Sequence, residues 1–201
     1  DGLTIFLFHD ISDNPSEFNQ KYRLSLSKKV FKDQIIWINN NFTIIHPEEI
    51  LLDKKVKNAA VITFDDGCKG VFENALPILN TLKIPSIIFL NMSAVIDKKP
   101  LMSSVASYLQ TYQPGFKKFA ISNEICPPYH LSLTPELMKK AVNLFEISND
   151  DFKKVLTYQG EFASLKDLYK WQNSNYVVYG NHLFDHWNAA SLTIEQLQEE
   201  Y

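Results

Sequence analysis

The chain has 201 residues, 45% of them hydrophobic and 13% aromatic, which is enough apolar material for one buried core. Its formal net charge of −3 and the lack of a basic face exclude nucleic acid as a main partner, the pairs Lys28-Lys29 and Lys117-Lys118 being isolated and suited to solvated helix faces. No run approaches the roughly 18 apolar residues that span a bilayer, so no transmembrane segment is expected. The first residue is Asp1, which fits prior removal of a signal peptide or anchor and leaves cell envelope and cytoplasm both open as locations. Cys68 and Cys126 are too few for a disulfide framework.

Leu3 to Phe8 reads as a buried strand ending at His9-Asp10. Ser27 is a suitable cap for a helix through Asn41, whose Val30, Phe31, Ile35 and Ile38, with Phe42 beyond, recur near helical spacing. Trp37, among these residues, is expected in the core. Phe42 to Ile45 and Ala59 to Phe64 follow as strands, Val71 to Leu82 as a helix, and Ile84 to Asn91 as a further strand. Strands alternating with helices predict parallel β/α units, in which function gathers beyond the carboxyl ends of the strands. From about residue 97 to 174 the pattern turns helical, with no clear strand. Thr134-Pro135-Glu136 is a cap-then-proline start, followed by Leu137, Ala141, Leu144 and Phe145 on one face. Ser148 to Asp151 resembles a capped start, and Ser164 to Trp171 a third helix. Tyr176 to Tyr179 reads as a last strand, closed by a turn at Gly180-Asn181.

Two of these strand ends carry chemistry. Ala59 to Ile62 leads into Thr63-Phe64-Asp65-Asp66-Gly67, two adjacent acids where folding alone gives no reason for charge. Neighbouring carboxylates oppose each other's ionisation unless a cation or hydrogen bonds absorb them, so the pair suits a metal-and-base site. The last strand leads into His182-Leu183-Phe184-Asp185-His186, and two histidines four apart on a helical turn would project from one face toward a shared metal. Together the strand ends offer Asp, His and His, a three-ligand set with an open position for water. His9, Asn91 and Asn181 fall at comparable ends. Cys68 is expected to be a small buried hydrophobe, a metal role being the alternative; His46 and His130 are expected to be structural or on the surface.

In these two motifs, and in Glu73 to Leu79 and Ile84 to Leu90 between them, the chain resembles the polysaccharide deacetylases, the carbohydrate esterase family related to chitin and peptidoglycan deacetylases. The similarity covers about residues 1 to 96 and 176 to 201. The resemblance implies an α/β fold, a partial or distorted (β/α) barrel with a helical insertion over about residues 97–174, in a single domain spanning 1–201. It implies that Asp66, His182 and His186 hold a divalent metal, usually zinc, and that Asp65 is the general base. The implied reaction is removal of N-acetyl groups from amino sugars of a polysaccharide or its precursor. His9 and Trp187 are candidate substrate contacts. Trp187 stands where the family usually has proline, and Cys68 and Gly70 replace aromatic and polar residues after the first motif.

The family's later motifs, an arginine-proline-aromatic groove segment, an aspartate-tryptophan pair and a catalytic-acid histidine, have no counterpart before Tyr201; Pro127-Pro128-Tyr129-His130 lacks the arginine and precedes the second motif. Setting aside an insertion of roughly 80 residues leaves about 120 for the β/α core, against about 250 for a full barrel. The chain is therefore expected to be the N-terminal part of a barrel, or an open one completed by another subunit. Either predicts an exposed sheet edge that could support a homo-oligomer, and apolar surface near the C-terminus. The competing functions are a non-catalytic carbohydrate-binding protein that retains the metal site, and a metal hydrolase acting on a peptide or cyclic amide.

Overall fold

The computed structural model describes residues 2–52, 56–125 and 133–201. In chain order its strands are β1 (Thr4–Phe8), β2 (Asp10–Ile11), β3 (Ser25–Leu26), β4 (Thr43–Ile44), β5 (Ala59–Phe64), β6 (Ser86–Leu90) and β7 (Val177–Asn181). Its α-helices are α1 (Glu17–Tyr22), α2 (Lys28–Asn41), α3 (Leu76–Leu82), α4 (Met102–Tyr112), α5 (Phe116–Ser122), α6 (Pro135–Leu144), α7 (Asn149–Gln159), α8 (Leu165–Trp171) and α9 (Ile194–Glu199).

The sheet is built around β5, all six residues of which are buried, as a β-branched run covered on both faces requires. It runs in the order β1-β5-β6-β7, with β4 beside the start of β5, and every pairing is parallel. Phe8 lies opposite Phe64, Phe64 opposite Ile88, and Leu90 opposite Asn181. The residues that follow these strands, His9, Asp65, Asn91 and His182, therefore emerge along one rim. This is a mixed α/β architecture with a parallel sheet, as the sequence predicts. Among the described residues β1 and β7 are the ends of the β1-β5-β6-β7 path, and the two-residue β4 pairs with β5 alone.

Alternation along the strands separates two faces. Ile62, Phe64 and Ile88 point into the main core with Phe8, Phe31, Ile35 and Leu79, where Phe8 meets Phe31 edge-on at 5.2 Å between centroids. Ala59 and Val61 face the other way, with Ile45 and Ile87. On the edge strand β1 this second face leaves Ile5 59% and Leu7 50% exposed.

Ser27 caps α2 by accepting from the Val30 N–H, and Phe31, Ile35 and Ile38 form its buried stripe. Trp37 is not core, contrary to expectation. One residue before Ile38 it is turned away from that stripe, 56% exposed, touching Phe42 at 6.0 Å. The β2–β3 pairing and the short helices α1 and α9 have no sequence counterpart above, being too brief for periodicity to show; α4 and α5 fall in the stretch read as helical. The final strand also differs from expectation: β7 continues through Gly180 and Asn181, where a turn was expected. Gly180 pairs with Phe89, whose ring occupies the space a Cβ would need, 2.5 Å away.

Between β6 and β7 the described residues are largely helical, with their own apolar cluster of Val105, Leu109, Phe116, Met138 and Val155. The caps at Thr134 and Ser148 form as expected, and the expected helix from Ser164 is capped as well; Ser148 and Ser164 make reciprocal boxes with Asp151 and Asp167. This segment is stitched to the sheet. The Lys69 N–H donates to Glu161 O and the Ala163 N–H to Gly67 O, both at 3.0 Å, and Ser16 Oγ donates to Gln159 O at 2.8 Å. Cys126 and the segment Pro127 to His130 lie outside the described residues. No helix among the described residues is long and apolar enough to cross a membrane.

Two predictions follow from packing and capping. A Cβ on Gly70 would lie 2.6 Å from the Ile11 carbonyl oxygen and 2.2 Å from Asp10 Oδ1, whereas one on Gly2 meets nothing within 4 Å. Gly70→Ala is expected to cost about 1–3 kcal/mol, lowering Tm by several degrees in thermal denaturation, with Gly2→Ala unchanged. Hydrogen bonds from Ser148, with help from Lys154, hold the Asp151 carboxyl down to about 2. A depressed carboxyl stabilises the fold above its unfolded value and loses that contribution as pH falls through its folded one. The Tm difference between wild type and Asp151→Asn is therefore expected to shrink as pH drops from about 4 to about 2.

Candidate metal centre

The first half of the site is the exit from β5. Asp65 still follows the sheet, its N–H donating to Phe8 O at 3.0 Å, and the chain then reverses as the Gly67 N–H donates to Asp65 O at 2.9 Å. The reversal places Asp66 and Gly67 in the left-handed region, at φ 70° and 79°. That conformation is natural for Gly67 and uncommon for Asp66, where Asp tolerates it better than most side chains. The outcome is a carboxylate only 8% exposed at the rim of the sheet.

The second half leaves β7. The His182 N–H donates to Leu90 O at 3.0 Å, extending the β6–β7 pairing by one step. Beyond it the chain does not form the helical turn expected from the four-residue spacing. Residues 182–186 are irregular, with Leu183 and His186 at φ 65° and 61°. The two histidines meet because the loop folds back, not because they share a helix face.

Asp66 Oδ1 lies 3.4 Å from His182 Nε2 and 3.2 Å from His186 Nε2, and the rings of the two histidines are 5.1 Å apart. Yet Asp66 Oδ1, buried, receives no hydrogen bond. Three ligand atoms gathered within 4.8 Å of one another around an orphaned carboxylate oxygen are arranged to converge on a common point. With ligand bonds of about 2.0–2.2 Å, a tetrahedral ion separates its ligand atoms by roughly 3.3 Å, which the two Asp66–imidazole distances match. Two imidazoles and a carboxylate are also a donor set that suits zinc and related divalent ions. The residues present fit a divalent metal.

The electrostatics divide the two acids. Burial opposes ionisation of Asp66, but contact with His186 and the fields of His186, His9 and His182 outweigh it and hold the carboxyl below the ordinary range. Asp65 moves the other way: burial raises it most and the Asp66 charge adds to that, against the opposing fields of the histidines. Its Oδ2 stands 3.9 Å from His182 Nε2, beside the ligand set. Burial pushes His182 down, toward its neutral ligating form; His186 is raised because its contact with Asp66 overcomes burial. The arrangement provides one acid suited to permanent ionisation and a neighbour suited to exchanging a proton.

The other expected residues are distributed around this centre. His9 is half-buried at the same rim, close enough for its charge to act on Asp65, Asp66 and His182. Trp187 is half-buried against the helical cluster between β6 and β7. Cys68 belongs to the main core, where burial keeps its thiol protonated, and His46 is engaged locally with Glu48 and Glu49. Sequence reasoning missed Ser103 on α4, whose Oγ is 3.4 Å from His186 Nδ1, and Glu200, whose Oε2 accepts from the Asp185 N–H at 2.8 Å. Neither carried a motif, and both reach the site only through tertiary packing.

A sequence profile of the polysaccharide deacetylases matches residues 53–201, well over half of the chain. Among solved structures the chain is similar to IcaB from Ammonifex degensii, at 15% identity and a TM-score of 0.57, over 100% of this chain and 64% of that one. It is also similar to BC0361, a polysaccharide deacetylase from Bacillus cereus, at 15% identity and 0.55, over 98% and 45% of the two chains. A de-N-acetylase from Aggregatibacter actinomycetemcomitans aligns at 14% identity and 0.52, over 91% and 55%. The chain thus spans less than two thirds of the length of each of these proteins. No curated protein sequence matches it. At such identities the structures speak for the fold, while the profile, covering both the Asp65-Asp66 and the His182/His186 motifs, places the chain in the polysaccharide deacetylase family.

Proposed function

We propose that the chain is a metal-dependent hydrolase that removes N-acetyl groups from amino sugars of a polysaccharide or its precursor. The observation that carries this reading is the convergence of Asp66 Oδ1, His182 Nε2 and His186 Nε2, with the Asp65 carboxylate beside them. Membership of the family supports the chemistry, and one structural neighbour is itself named a de-N-acetylase. The proposal treats residues 1–201 as a single deacetylase-like unit, with the β1 and β7 edges as the surfaces for any homo-oligomer.

A divalent metal, zinc in this proposal, held by Asp66, His182 and His186, supplies Lewis acidity and makes water acidic enough to be deprotonated near neutral pH. Asp65 does the proton work. Its carboxylate accepts a proton from the attacking water as the new C–O bond forms at the acetamide carbonyl carbon. When the C–N bond breaks, the protonated Asp65 returns that proton to the departing amine, leaving acetate and a free amino sugar. A carboxyl raised by burial suits both steps, since it takes and releases a proton nearer neutrality than an exposed Asp does. Asp66 stays ionised throughout, its charge committed to the ligand set. His9 at the rim and Trp187 beside His186 are assigned to substrate contact.

Elemental analysis is expected to find about one zinc or similar ion per chain, lost in both Asp66→Ala and His182→Ala. Asp65→Asn is expected to keep the metal while acetate release from N-acetylglucosamine oligomers falls by about 10²–10⁴-fold. Metal retained with no acetate released by the wild type would favour the carbohydrate-binding alternative, and no metal after replenishment would sink the reading.

A further inference from the structure

We infer that Asn91 and Glu200, neither of them a ligand, are positioning residues that set metal affinity by clamping the His182–His186 loop in its folded-back shape. This rests on the reading of Asp66, His182 and His186 as a metal centre.

The loop needs such support because two of its five residues, Leu183 and the ligand His186, adopt left-handed backbone that side chains with a Cβ disfavour. A segment of that kind relaxes unless its surroundings determine its shape. Here they act from both sides. Asn91, fully buried at the end of β6, donates through Nδ2 to His182 O at 2.6 Å and to Leu183 O at 2.9 Å. The Ser93 N–H takes the next carbonyl, Phe184 O, at 3.1 Å. From the far side Glu200, just beyond α9 and only 8% exposed, receives the Asp185 N–H on its carboxylate at 2.8 Å and the Phe184 N–H on its main-chain oxygen at 3.1 Å. Asn181 Nδ2 reaches the same oxygen at 3.4 Å.

The two side chains differ in what they contribute. Asn91 supplies both protons of one amide to consecutive carbonyls, a task for which Asp has the shape and lacks the donors. Glu200 is needed as an acceptor for one N–H, which Gln also provides. Loosening either grip frees the ligand imidazoles to leave the geometry that matches Asp66, so metal binding must then order the loop as well.

The experiment measures zinc dissociation constants by competition with a chromogenic chelator, the visible spectrum of the cobalt form, and Tm of the metal-free protein. Asn91→Asp and Glu200→Ala are expected to weaken zinc binding by about 10–100-fold and to alter the cobalt spectrum, whereas Glu200→Gln keeps both near wild type. If the variants lower Tm of the metal-free protein but bind zinc as tightly as wild type, the residues are merely structural and the inference is overturned. Loss of affinity in Glu200→Gln equal to that in Glu200→Ala would overturn the acceptor role. Should Glu200→Ala fail to fold, the isosteric Asn91→Asp carries the test. A wild-type protein that binds no zinc would instead refute the metal centre itself, and the clamp with it.

Discussion

A carboxylate that is almost wholly buried and accepts no hydrogen bond on one oxygen is the constraint around which this molecule is organised. Asp66 Oδ1 could not remain there against apolar neighbours alone, because the loss of hydration would drive the group to its neutral form. It is held ionised chiefly by its contact with His186, with the fields of His9 and His182 adding to it, and His182 and His186 lie 116 and 120 positions further along the chain. Bringing them to it is the task of the parallel sheet. Because β5, β6 and β7 run in one direction and in register, the ends of β5 and β7 arrive at a common rim with β6 between them.

The sheet alone does not finish the site. Asp66 and His186 both depart from ordinary backbone conformations, and each departure aims a side chain into the cluster. Strain of this kind persists only where the surroundings determine it. At Asp66 the tight turn closes through Gly67, whose missing Cβ leaves room for the Leu90 side chain. At His186 the loop is gripped by Asn91 and Glu200, while Ser103 from the helical segment meets the ring nitrogen that faces away from Asp66. That segment thus has a second role besides its own apolar cluster: it reaches the imidazole that helps neutralise Asp66.

The separation of the two adjacent acids follows from the same geometry. Asp66 is turned inward among the histidines and kept charged, while Asp65, still in line with β5, sits at the edge of that field and has its proton affinity raised by burial and by its neighbour's charge. Covalent neighbours one residue apart are thereby given opposite tendencies, one toward staying charged and the other toward exchanging a proton.

Much of this was legible in the sequence because it is local. The apolar run Ala59 to Phe64 defines a doubly covered strand, Ser27 and the Ser148 box define helix starts, and Asp65-Asp66 and His182/His186 stand directly after strands, where the structure brings them together. Each of these is decided by neighbours within a few residues. Trp37, Gly180 and the shape of the histidine loop were not legible, since they depend on which face meets the sheet, on the Phe89 ring opposite, and on hydrogen bonds from Asn91 and Glu200. The sequence by itself determined which elements form and which residue types stand at their ends, through periodicity, capping and the cost of burying charge. Only the tertiary structure decided which atoms converge, because convergence is set by parallel register and by side chains distant in the chain.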